Sequence, residues 1–145
     1  MSITVKKIKQ RKKGLNIMQV QEMNEVLQRL EDNKFIPDMQ KEVLKDLLQG
    51  EEAEHFAEII NKLDEVIKNA PSMYETDGQK EKKAILHYFF GNYDSYAYEL
   101  DKETGEMFGN VSLGYGFELG YFSIDEINTV PRIELDLYFD GKERN

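Results

Sequence analysis

Glu118-Leu119-Gly120-Tyr121-Phe122-Ser123 runs straight into Ile124-Asp125-Glu126, and this junction decides the fold. The first phrase, with Phe117 before it, reads as a strand rich in aromatic and apolar residues. The second reads as a capping box, in which the Ser123 oxygen accepts an N–H bond and Glu126 reaches back. A short helix therefore begins at Ile124 and ends before Pro131. A last strand follows at Ile133-Glu134-Leu135-Asp136-Leu137-Tyr138-Phe139. Its apolar side is Ile133, Leu135, Leu137 and Phe139, while Glu134, Asp136 and Tyr138 point the other way.

Upstream the same alternation continues. Lys83 to Phe90 reads as a strand, although Ala84, Ile85 and Tyr88 also fit a short helix. Gly91-Asn92 marks a turn. Tyr96, Tyr98 and Leu100 then fall on one face of the next strand. Asp101 to Gly105 forms a hairpin loop, and Met107 to Leu113 is a further strand before Gly114 and Gly116. Ahead of Pro71 the period is helical. Val20, Met23, Val26, Leu27 and Leu30 make one apolar face, closed by Asn33. Pro37 suits a first helical position, with Met39, Val43, Leu44, Leu47 and Leu48 as the apolar face and Gly50 as the stop. Glu51 and Glu52 favour a helix N-terminus, and Phe56, Ile59, Ile60, Leu63, Val66 and Ile67 form the third stripe.

The fold class is therefore α+β: an N-terminal three-helix segment, then a four- to five-stranded antiparallel sheet with one short helix before the last strand. Residues 1–14 are a basic leader, either an edge strand or disordered. Residues 15–71 are the helical segment and 72–145 the sheet domain, with 145 residues favouring one shared core.

Charge is unevenly spread. The net charge is −9, yet residues 1–13 hold six of the 19 basic residues and no acid. The remainder carries 13 bases against 28 acids, a net −15. Such a body repels phosphates and attracts basic protein surfaces, so direct nucleic-acid binding is confined to the leader. No apolar run reaches the ~20 residues of a membrane span, and no secretory signal follows the basic start. With no Cys there is no disulfide or thiolate chemistry. A cytoplasmic protein without membrane contact is the reading.

Catalytic patterns are scarce. His55 and His87 lie far apart in sequence, outside metal-ligand spacing. There is no phosphate loop, and Gly114, Gly116 and Gly120 join strands instead of opening a helix. Ser72, Ser95, Ser112 and Ser123 lack a nucleophile elbow, and Asp77, Glu81 and Lys83 are too closely spaced for a metal-dependent nuclease. Tyr93, Tyr96 and Tyr98 have Asp94 and Glu99 among them where a single-strand stacking surface carries Lys or Arg. Glu118, Glu134 and Asp136 meet on one face if their strands are neighbours, which would allow a divalent-metal site or an acid/base pair. The preferred reading has no catalytic residues, no metal and no cofactor. The partner-binding candidates are the acids Asp94, Glu99, Glu118, Glu134 and Asp136 with the aromatic anchors Tyr96, Tyr98, Tyr115 and Tyr121.

One resemblance covers residues 74 to 139. It rests on Tyr74-Glu75-Thr76, Tyr88-Phe89-Phe90, Glu99-Leu100-Asp101, Phe108-Gly109, Leu113-Gly114, Glu118 to Ser123 and Glu134-Leu135-Asp136-Leu137-Tyr138-Phe139. These phrases resemble a family of small bacterial domains without assigned function, carried on conjugative plasmids, integrative elements and phages. That family carries a basic residue in the last phrase where this chain has Leu135. The resemblance implies a mobile-element accessory protein. Joined to the acidity, it points to an inhibitor of a host defence nuclease, of the anti-CRISPR or antirestriction kind. The alternative is a structural or regulatory component of plasmid transfer or maintenance.

Overall fold

The computed structural model describes residues 17–144. The basic leader, and with it the question of an N-terminal edge strand, lies outside the described residues. Three helices open the fold: α1 (Ile17–Asp32), α2 (Asp38–Leu47) and α3 (Ala53–Lys68). Strands β1 (Leu86–Phe90), β2 (Tyr93–Leu100), β3 (Glu106–Ser112) and β4 (Phe117–Ser123) follow, then α4 (Ile124–Asn128) and β5 (Glu134–Leu135). The strands form one antiparallel sheet in the order β4-β3-β2-β1-β5. The architecture is α+β, as the periodicities predict.

Helix and sheet share one apolar core. Val20, Leu30, Leu44, Leu48, Ile60 and Leu63 from the helical half pack with Leu86, Tyr88, Ala97, Leu100, Met107 and Phe122 from the strands. Tyr88 is buried in this layer, and its hydroxyl donates to the Phe35 carbonyl at 2.5 Å. Among the described residues no helix is long and apolar enough to cross a membrane.

α2 departs from the expected pattern. Pro37 sits at the N-cap, one place ahead of the first helical position, and the Asn128 side chain accepts the Asp38 N–H at 2.9 Å. Leu44 and Leu48 are buried as expected, but Met39 and Val43 are exposed and Gln40 is buried. The reason is the edge of the sheet. The Gln40 amide donates to the Leu135 carbonyl at 2.9 Å and accepts the Leu135 N–H at 2.7 Å. A side chain thus completes β5 as a neighbouring strand would, and α2 turns its polar residue inward to do so.

β5 itself is shorter than the alternation in Ile133–Phe139 predicts. Only Glu134 and Leu135 join the ladder, extended by the Asp136 N–H to the His87 carbonyl. The Asp136 side chain then accepts the Tyr138 N–H at 3.0 Å. This local bond competes with strand pairing and bends the chain away. Phe139 consequently packs in a second cluster, with Ala84, Tyr96, Tyr98, Phe108 and Phe117. That cluster lies on the face of the sheet away from the helices.

α4 starts where the capping box puts it. The Ser123 hydroxyl accepts the Glu126 N–H at 3.2 Å, while the Glu126 carboxylate takes the Ser123 hydroxyl proton at 3.3 Å. Glu126 therefore closes the box on the hydroxyl rather than on the backbone.

Candidate functional site

The nine candidate residues divide into three groups. The first group is interior. Between β2 and β3 the register shifts from Ala97 to Glu99, so Tyr98 is an extra residue in a β-bulge. The bulge changes parity: Tyr96 and Tyr98 join the second cluster and Leu100 joins the helix-side core. Leu100 is therefore not on the tyrosine face. Tyr96 is only 1% exposed. Its hydroxyl accepts the Arg144 N–H at 3.1 Å. The Tyr98 hydroxyl donates to the Glu143 carboxylate at 2.7 Å, and Asn110 donates to the same carboxylate at 3.1 Å. Burial and the Glu143 carboxylate raise the Tyr98 phenol well above its ordinary value. The C-terminal residues thus strap the outer face of the sheet, and neither tyrosine is an accessible anchor.

Glu99 is also removed from the surface, at 2% exposure. Its carboxylate accepts the Tyr74 N–H at 2.7 Å, the Thr76 N–H at 3.0 Å and the Thr76 hydroxyl. Burial alone would raise its pKa; the Thr76 hydroxyl, the two backbone N–H groups and Lys82 outweigh burial and hold it below the ordinary value. This staple has a local consequence. Tyr74 is the one non-glycine residue with positive φ among those described, at 69°, a conformation that disfavours a bulky side chain. Glu99 holds it there.

The second group converges on a histidine. Asp94 Oδ1 lies 2.7 Å from His87 Nε2, and Asp136 Oδ2 lies 3.2 Å from His87 Nδ1. The ring stacks on Tyr96 at 4.4 Å between centroids and 7° between planes. Both nitrogens are engaged, so the arrangement ties β1, β2 and the segment after β5 together. Sequence reading treats His87 as a lone strand-face residue, because its two partners become neighbours only in the folded sheet.

The third group stays at the surface, but it does not meet. Glu118 is on β4 and Glu134 on β5, the two outer strands of a five-stranded sheet. Four strand spacings put them about 19 Å apart. The strands of Glu118 and of Glu134 and Asp136 are not neighbours, so the condition for the three to meet is not fulfilled. No cluster of three or more His, Asp or Glu suited to a metal ion occurs among the described residues.

What remains together is the β4 edge. Tyr115 is 97% exposed in the turn between β3 and β4, where Gly114 and Gly116 take φ of 101° and 111°, values that glycine alone adopts easily. Leu119 and Tyr121 are 62% and 55% exposed on β4, and Leu113 and Glu118 are exposed nearby. Tyr121 packs on Phe108 with ring centroids 5.1 Å apart. Partial desolvation, then the Tyr74 hydroxyl, raise the Tyr121 phenol above its ordinary value. Tyr74 thus belongs to this patch, a role that no local sequence signal announces.

Comparison of the chain with protein-family models, curated proteins and solved structures finds no match.

Proposed function

We propose that the protein is a non-enzymatic binding module for a protein partner with a basic surface, and that β4 and the turn before it make the contact. The observation that carries this reading is the open edge itself: Tyr115 stands exposed in the turn before β4, Leu119 and Tyr121 stand exposed on one face of β4, and Glu118 stands exposed on the other. Large aromatic side chains anchor interfaces, and carboxylates beside them steer a basic partner into register. The net −15 of the chain beyond its first 13 residues supplies the long-range attraction.

The resemblance on residues 74–139 supports a mobile-element setting. There, carboxylates presented where phosphates normally sit suit the blocking of a host defence nuclease, of the anti-CRISPR or antirestriction kind. The test is a salt series on whatever basic host protein the immobilised chain retains. Affinity falls steeply as ionic strength rises through the physiological range if carboxylates stand in for phosphates. Salt-insensitive retention contradicts the mimicry.

A further inference from the structure

We infer that β4 pairs edge to edge with β4 of a second copy of this chain, antiparallel and centred on Gly120, giving a dimer with one continuous sheet. The backbone supplies the first reason. All seven residues of β4 pair with β3 in unbroken register. Apart from that ladder, no backbone hydrogen bond joins residues 117–123 to another segment among the described residues. An edge strand is ordinarily protected by lysine, proline, a bulge or extreme shortness. β4 has none of these, and its one charge is Glu118.

Self-complementarity identifies the occupant. With Gly120 opposite its own mate, Leu119 of one copy faces Tyr121 of the other, and this pair occurs twice about the two-fold axis. Both side chains are exposed in the single chain, so pairing covers two apolar surfaces at once. Glu118 falls opposite Phe122 and stands about 13 Å along the strand from its symmetry mate, beyond the ~10 Å screening length of ordinary buffers. Gly120 at the axis leaves open space: a Cβ built there meets nothing within 4 Å. The outer aromatic faces of the two copies become one surface, and the pairing does not depend on the partner reading above.

The chain contains no Cys, so register can be read by single-cysteine crosslinking of the full chain. Facing residues in an antiparallel pair have Cα atoms about 4.5–5.5 Å apart, within disulfide reach. Gly120→Cys alone, and an equimolar mixture of Leu119→Cys with Tyr121→Cys, represent the two alternating pair geometries. Glu118→Cys alone is the out-of-register control. The expected result is a disulfide dimer from at least one in-register combination and none from Glu118→Cys. Light scattering on the unmodified chain should show the mass doubling with concentration. Each copy carries −9, so added salt strengthens this dimer, opposite in sign to the contact with a basic partner. A monomer at all concentrations and salts, or equal crosslinking of Glu118→Cys, overturns the inference. Both contacts use Leu119 and Tyr121, and their opposite salt dependence tells the failure of one from the failure of the other.

Discussion

The two edges of this sheet are built differently. β5 contributes two residues, and the buried Gln40 side chain bonds both the N–H and the carbonyl of Leu135. β4 contributes seven residues and, among the described residues, its one ladder partner is β3. One edge is finished from within the chain, and the other is left with apolar side chains facing outward. Contact is invited at the edge that nothing in the described chain closes. A fold that places a buried amide to close one edge has the means to close edges, so the open one is the natural place to look for function.

The largest expected effect comes from breaking the closed edge. Gln40→Ala leaves a buried N–H and a buried carbonyl without partners and costs about 2–6 kcal/mol. Denaturant unfolding with the slope held fixed measures it. A loss under about 0.5 kcal/mol would mean that β5 does not need the amide, and the contrast between the edges would lapse.

Next is Glu99, whose bonds to Tyr74 and Thr76 shape the loop beside β4. Glu99→Ala costs about 1–3 kcal/mol, chiefly through the buried Thr76 N–H it abandons. Its carboxylate lies below the ordinary value of 4.5 in the folded chain. That stabilisation is present above the unfolded pKa and is lost as pH falls through the folded one. Melting followed from about pH 5 to pH 3 should fall less steeply in Glu99→Gln than in the parent chain. Parallel curves would remove Glu99 from the acid response.

The smallest effect on stability belongs to the open edge. Tyr121→Ser should change unfolding free energy by no more than about 1 kcal/mol, since the side chain is half exposed and loses chiefly its ring contact with Phe108. It should nevertheless weaken partner binding about 30-fold, as removal of a 2 kcal/mol anchor does. A large stability loss would place Tyr121 in the fold rather than in the contact.

Much of this fold is legible in the sequence. The stripes through Leu30 and Ile60, the turn glycines around Tyr115 and the box at Ser123 each use short-range rules, and each holds. What fails depends on long-range order. A one-residue bulge at Tyr98 has no local signature, yet it decides that Leu100 leaves the tyrosine face. Gln40 breaks an apolar stripe because it serves a strand 95 residues away. Glu118 and Glu134 look like neighbours until strand order separates them. Of the candidate residues, Glu118 and Tyr121 lie on opposite faces of β4, and Tyr115 lies in the turn before it. Tyr96, Tyr98 and Glu99 turn inward, while Asp94 and Asp136 are drawn to His87.

Both edges expose apolar side chains, and this allows one direct comparison. Leu119→Ser/Tyr121→Ser alters the open edge, and Met39→Ser/Val43→Ser alters exposed α2 positions beside the closed one. Each pair is immobilised beside the parent chain, and the retained host proteins are quantified at fixed salt. The β4 pair is expected to lose the partner and the α2 pair to keep it. Loss with the α2 pair and retention with the β4 pair would move the contact from β4 to α2.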